Sequence, residues 1–228
     1  MNAESWTPAE FEARLRAVPE ARYHHLHPFN VRMHAGELTQ EEIRRWILNR
    51  FHYQRHIPIK DALILAKLET PELRRLWIRR IQDHDGRRVG EGGIERWLRL
   101  GEAAGLDRKV LLSGEGVLPG VRLAVEGYVN LCRLGTPLEA VAASLTELFA
   151  PDIMRTRIAA FEQHYPWLDS EGLQYFRGRI SQGRQDSGEA IELVLEWARG
   201  RAEQERAVAA LAYKCDVLWA LLDAVDQA

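Results

Sequence analysis

Two cysteines, Cys132 and Cys215, are all that the 228 residues contain. That is too few for a disulfide framework, and neither has a second thiol at zinc-site spacing. No run of roughly 18 apolar residues occurs, so no segment reads as a membrane-spanning helix. An excess of one charge is missing too: 31 Lys and Arg stand against 33 Asp and Glu, a net charge of −2. With a pI near 6.5, this argues against a nucleic-acid surface or an anionic-membrane surface. The opening MNAESWTPAEFEARL is acidic and amphipathic, unlike a secretory signal, and a reducing cytoplasm is the expected location. Period-two alternation, internal repeats and low-complexity linkers are also lacking. The one glycine-rich stretch, GRRVGEGG from Gly86 to Gly93, follows a helical pattern with no strand before it, which argues against a phosphate or dinucleotide loop.

What is present is helix punctuation. Thr7-Pro8-Ala9-Glu10 opens a helix to about Val18, and Thr39 with Glu42 opens another. Pro58 predicts a kink in the second, whose pattern resumes to about Leu68. Thr70-Pro71 starts a helix ending at Gly86, followed by helices over about 94–104 and 121–134. Thr136-Pro137-Leu138-Glu139 starts a further one, with Pro151 as its expected interruption. Asp169 or Ser170 caps a helix through Ala198, and the last runs from about Ala202 to Val225. The expectation is an all-α protein, a compact bundle of seven or more helices forming one domain over residues 1–228.

Several apolar stripes carry residues that a plain core would not. Ile43, Trp46, Ile47, Phe51 and Ile57 recur on one helix face, and Arg50 and Gln54 fall in that stripe. Leu73, Trp77 and Ile81 mark another face, with Arg80 and His84 on or beside it. Lys60, Tyr128, Arg157, Tyr175, Arg179 and Lys214 land similarly. Six of these residues are cationic, and few acids match them; Asp61, Asp83, Asp85 and Glu147 are the candidates. A guanidinium turned toward a core is costly unless an anion meets it. Each cation alone reads as capping a helix, reaching back to water or pairing with such an acid. Six on at least five helices point instead to a shared cavity for a small ligand with several negative charges.

Two pairs one helical turn apart suggest chemistry. Arg80 beside His84 favours a neutral imidazole base, the alternative being a histidine satisfied by Asp83 or Asp85. Tyr175 with Arg179 suits an oxyanion or a reduced oxygen species, the alternative being a surface tyrosine packed on arginine. His52 with His56, joined by His24, His25 and His27, raises a metal site, but no Glu-x-x-His pattern accompanies them, and solvated or partly packed histidines are the expectation. Cys132, with Glu126 or Glu139 as helper, reads as a nucleophile or, more commonly, a small buried hydrophobe.

The strings YHHLHPFN, WILNRFHYQRHIPIKDA, RRLWIRRIQDHDG, GGIERWLRLGEAAGL, LPGVRLAVEGY, SLTELFAP, HYPWLDSEGLQYFRGRISQ and KCDVLWALLDA, in unbroken order from Tyr23 to Ala224, resemble the pyrroloquinoline-quinone synthase family. The resemblance implies a seven-helix fold like that of haem oxygenase and thiaminase II, and a homodimer. It implies an enzyme with neither metal nor organic redox cofactor. The family closes the last ring of a bicyclic tricarboxylate precursor and oxidises it by eight electrons with O2, yielding pyrroloquinoline quinone and hydrogen peroxide. By the same resemblance Arg50, Lys60, Arg157 and Lys214 hold carboxylates and quinone oxygens, and His24, Gln54, Arg80 and Tyr128 line the cavity. His84 is the implied general acid/base, and Tyr175 and Arg179 handle O2 and peroxide. Two departures stand out. Met154 occupies the place of a family histidine, and methionine neither relays a proton nor donates a hydrogen bond. Gln185 to Ala190 reads QDSGEA where the family has Arg-Asp-x-Glu-His-Gly. Rival readings are a non-turnover carrier of the finished quinone, passing it to a pathway partner protein, a thiaminase-like hydrolase using Cys132, and a metal-dependent oxidase using the histidine pairs.

Overall fold

The computed structural model describes residues 4–228, apart from the side chains of residues 181–187. Among the described residues every regular element is helical: α1 (Pro8–Arg22), α2 (Pro28–Ala35), α3 (Gln40–Leu65), α4 (Pro71–Asp85), α5 (Gly92–Ala103), α6 (Arg108–Ser113), α7 (Pro119–Leu134), α8 (Pro137–Ala143), α9 (Ala150–His164), α10 (Gln174–Trp197) and α11 (Arg201–Asp226), with 3-10 turns at His24–Leu26, Ser144–Leu148 and Ser170–Leu173. The count is eleven α-helices rather than seven. Short connecting helices such as α6, which carries too few residues for a readable apolar period, make up the difference.

The threonine starts form as their side chains dictate. Thr7, Thr39 and Thr136 each accept the backbone N–H three residues on, while the glutamate there returns a carboxylate to the threonine N–H. Thr70 caps α4 through Leu73 N. Each such cap is worth about 1 kcal/mol. Pro58 sits inside α3, which nevertheless runs from Gln40 to Leu65 as one element. Burial of the apolar Ile57, Pro58 and Ile64 offsets the proline's loss of one backbone donor, a cost of about 3 kcal/mol. Pro151 does not interrupt a helix. It lies in the first turn of α9, where its missing N–H has no helical partner to lose, and the chain breaks earlier, at the 3-10 turn from Ser144.

The 26-residue α3 crosses the middle of the bundle, packed by α4, α5 and α7, while α11 lies against α7, α8 and α1 and α10 against α9. Buried apolar side chains form one continuous cluster. Its centre is aromatic: Trp46, Trp97, Phe161 and Phe176 meet edge to face or stacked, and Trp97 Nε1 donates to Ile47 O at 3.0 Å. The glycine-rich loop has a packing role. At Gly92, with φ of +89°, an added Cβ would stand 2.5 Å from His84 O, so only glycine lets α5 begin against the end of α4. Gly93 fits between the rings of His84 and Tyr175, its Cβ position 3.4 Å from each.

Candidate active site

Most of the polar residues found in the apolar stripes turn inward. His24, Gln54, Lys60, Arg80, His84, Tyr128, Arg157, Tyr175, Arg179 and Lys214 are all buried, and Arg50 is half-buried. They come from α3, α4, α7, α9, α10, α11 and the 3-10 turn after α1. Periodicity alone could not choose which of them meet acids.

Two of the cations do. Lys60 Nζ lies 2.7 Å from Asp61 Oδ1, an atom that also accepts Trp77 Nε1 at 3.0 Å, and Lys60 reaches Ser144 Oγ at 3.2 Å. Burial alone would lower the Lys60 ammonium's pKa, but the Asp61 and Glu147 carboxylates outweigh it and hold the group above its ordinary value. Arg80 Nη1 donates to Glu147 Oε2 at 2.6 Å, with its guanidinium 4.1 Å from the Trp77 ring centre. Burial works to raise Glu147, yet Arg80, Lys60 and Arg179 together bring it down to about 2. For Lys60 and Arg80, pairing with internal acids is therefore realised.

Three others, Lys214, Arg50 and Arg157, are held by neutral groups; the sixth, Arg179, is buried on α10 and its charge acts on both Glu147 and His84. Lys214 Nζ donates to the Tyr53 hydroxyl at 2.7 Å and sits 3.9 Å from the centre of the Tyr128 ring. Arg50 lies over the face of Tyr53 at 3.8 Å, and its Nη1 is buried without a hydrogen-bond partner among the described residues. Arg157 Nη2 donates to Asn30 Oδ1 at 3.0 Å and faces the Trp46 ring at 5.0 Å. Among the described residues none of these three enters an ion pair. Burial, with Arg50 and Lys60 nearby, drives the Lys214 ammonium well below its ordinary range, and burial with Arg50 lowers Arg157 to about 10. An aromatic face or an amide oxygen orients a cation without cancelling its charge.

His84 adjoins this cluster with its two ring nitrogens unequal. Nδ1 lies 3.1 Å from Arg80 O, which only accepts, so Nδ1 carries the proton. Nε2 is buried and bare, without a partner among the described residues. Burial first, and the Arg179 guanidinium second, push the imidazole down to about 3, so it is neutral at neutral pH. Among the described residues neither Asp83 nor Asp85 hydrogen-bonds to it. Tyr175, rather than packing at the surface, donates its hydroxyl to Gln54 Oε1 at 2.9 Å.

The remaining candidates are arranged otherwise. His27 Nδ1 accepts from Phe29 N and its Nε2 meets Asp223 Oδ1 at 3.1 Å, a capping role, and His25 is exposed. His52 and His56 pack ring to ring at 4.4 Å, and among the described residues no three of His, Cys, Asp or Glu cluster as ligands would. Cys132 is wholly buried and its thiol is pushed up to about 11 by burial, the opposite of an activated nucleophile. Met154 is buried on α9 one turn before Arg157. Of the variant QDSGEA stretch, Gln185 to Ser187 lie outside the described side chains. The stripes did not single out Asn30, Tyr53 and Ser144. Tyr53, one turn from Arg50 on α3, had a spacing signal; Asn30, in a short helix, had none.

Wider hollows lie elsewhere. Surface clefts of about 340 Å³ beside Leu68, Pro137 and Trp197 and about 420 Å³ beside Gly86 and Arg99 gather no comparable set of buried polar groups. The gap bordered by Tyr53, Lys60 and Tyr128 is too narrow for a water molecule. The site is thus identified by its chemistry, and its side chains are drawn in around one another.

The sequence pattern of the TENA/THI-4/PQQC family matches residues 12–224. The chain belongs to the TENA/THI-4/PQQC family. Within it, the chain is 52% identical to the pyrroloquinoline-quinone synthase of Cronobacter sakazakii, over 97% of this chain and 88% of that one. It is 52% identical to the synthase of Ectopseudomonas mendocina, over 100% and 91%, and 49% identical to that of Pseudomonas aeruginosa, over 100% and 91%. Among solved structures, a domain with a haem oxygenase-like fold from Shewanella denitrificans superposes with a TM-score of 0.79 at 15% identity, covering 97% of this chain and 93% of that one. A TenA homologue from Pseudomonas syringae gives 0.79 at 12% identity, covering 99% of each. At such identities these two likenesses speak to the fold, which is all-α and haem oxygenase-like, like that of other TENA/THI-4/PQQC proteins.

Proposed function

We propose that this chain is an enzyme of the pyrroloquinoline-quinone synthase type, acting at the final step of making the quinone. The substrate is a bicyclic tricarboxylate, and the chemistry is ring closure followed by eight-electron oxidation with O2 as co-substrate and hydrogen peroxide as by-product. No metal or organic redox cofactor takes part in this reading. The observation that carries it is the cluster of Arg50, Arg157 and Lys214, buried or half-buried, oriented by neutral side chains, and placed near a neutral histidine with a bare Nε2.

Carboxylates entering among these cations replace weak neutral contacts with charge-assisted ones in a site shielded from water. Lys60 and Arg80, already paired, supply less net attraction and serve more to shape the field; His24, Gln54 and Tyr128 border the same ligand. Neutral His84 accepts a proton from the substrate at Nε2; of the neighbouring charges Arg179 and Lys60 oppose the imidazolium so formed and Glu147 favours it, so the ring passes the proton on rather than holding it. Tyr175 and Arg179 border the ring where oxygen is reduced. The working unit is a homodimer in the cytoplasm, in contact with a pathway carrier protein for the product. Anaerobic mixing of metal-free protein with the bicyclic precursor is the test. A quinone-like absorbance change on mixing, completed on admitting air with peroxide release, is expected. No change in either phase refutes the assignment.

A further inference from the structure

Asn30 sits on α2, wholly buried, and touches two members of the site at once. Its Nδ2 lies 2.7 Å from His24 O and 3.1 Å from His24 Nδ1, and its Oδ1 accepts Arg157 Nη2 at 3.0 Å. The orientation of the amide is forced from both ends. A backbone carbonyl only accepts and a guanidinium only donates, so the nitrogen must face His24 and the oxygen Arg157. Both amide hydrogens are then committed to His24, one to its carbonyl and one to Nδ1. A ring nitrogen that receives a hydrogen bond carries no proton, so the proton of neutral His24 is on Nε2. Burial, followed by Arg50, Arg157 and Lys214, keeps the ring neutral, its pKa well below the ordinary value.

We infer that Asn30 is a positioning residue: it locks His24 as a neutral Nε2–H donor and aims Arg157, so that both present donors to ligand oxygens. His84 is set the opposite way, Nδ1–H to Arg80 O with Nε2 bare. The site thus holds two neutral histidines of opposite tautomer, one to give a hydrogen bond and one to take a proton. The choice of an amide is chemically specific. An aspartate in its place would repel His24 O, demand a proton on Nδ1 and cancel the Arg157 charge.

The inference rests on the proposed function only where it speaks of ligand oxygens. Nitrogen-15 histidine spectra of the ligand-free protein, with the His24 signals assigned by their loss in His24→Phe, read the tautomer directly. Nδ1 bare and Nε2 protonated at neutral pH is expected; Nδ1 protonated, or a charged ring, overturns the inference. In Asn30→Asp the spectrum moves to a protonated Nδ1, and affinity for pyrroloquinoline quinone falls about ten- to a hundredfold, the size of one lost hydrogen bond to a charged group. An Asn30→Asp protein with wild-type spectrum and affinity overturns it equally. Should that variant fail to fold, His24→Gln, which keeps a donor, is expected to bind the quinone about tenfold more tightly than His24→Met; equal affinity for these two also counts against the inference. A wild-type protein that shows the expected tautomer but binds no quinone refutes the functional reading and leaves the Asn30 assignment standing.

Discussion

Lys214→Met separates a cation kept for a ligand from one kept for the fold. Lys214 is 1% exposed, makes one hydrogen bond among the described residues, to Tyr53, and has Arg50 and Lys60 as charged neighbours. Methionine fills similar space and sacrifices that bond, at about 1 kcal/mol. Against this, removing a buried ammonium unpaired among the described residues, whose charged form burial disfavours, relieves a desolvation penalty of up to several kcal/mol. The net is a ligand-free variant at least as stable as wild type. A gain of up to about 3 kcal/mol would raise Tm by up to about 6–12 °C in a chain of this size. Lys60→Met goes the other way, because it leaves the wholly buried Asp61 carboxylate without its cation. Breaking such a pair costs about 3–5 kcal/mol, a Tm loss of about 6–20 °C. Ligand affinity, unlike stability, is where Lys214→Met is hurt. Lys214→Met loses about 2–4 kcal/mol of quinone binding, about 30- to 1,000-fold in Kd. Calorimetric melting with and without pyrroloquinoline quinone reads both effects; at a hundredfold excess over Kd the wild type gains about 2.7 kcal/mol and the variant little. If Lys214→Met loses as much ligand-free stability as Lys60→Met, the fold itself satisfies the ammonium and the reasoning fails.

Three further outcomes are expected. His84→Gln keeps quinone affinity within severalfold but lowers turnover about 100- to 10,000-fold in single-turnover absorbance traces; undiminished turnover would remove His84 from proton transfer. Half-buried His34 and buried His52, each lowered to about 4, and buried His84, lowered to about 3, with desolvation the first cause in each, take up protons only on unfolding once pH drops through the ordinary value near 6.5. The unfolded chain then binds more protons, so denaturant midpoints fall as pH goes from 6.5 toward 5; a flat profile contradicts their neutral burial. Met154→His restores a group able to pass a proton beside Arg157, and faster oxygen uptake after substrate binding, measured at an oxygen electrode, is the expected result, with an unchanged rate counting against any role for this position.

Sequence alone determined the helices and their inward-facing polar residues, because both follow from short-range rules. Thr39 and Glu42 close a capping box within one turn, and Arg50 and Gln54 share a stripe with Trp46 and Ile47 whatever the bundle does next. Family membership was equally legible, since ordered strings such as NRFHYQRHIPIKDA and RRIQDHDG do not depend on coordinates. Only the tertiary structure decided which cations are neutralised. Arg80 meets Glu147 across 67 residues of chain, Tyr175 meets Gln54 across 121, and Arg157 meets Asn30 across 127. Whether a buried charge finds a carboxylate, a phenol or an amide depends on how distant helices pack, and the tautomers of His24 and His84 depend in turn on those partners. Lys60 illustrates the limit: its acid is the next residue in the chain, yet only the packing of α4, which brings Trp77 to Asp61, holds that carboxylate in place. Helical periodicity says which way a side chain points; long-range packing says what it meets there.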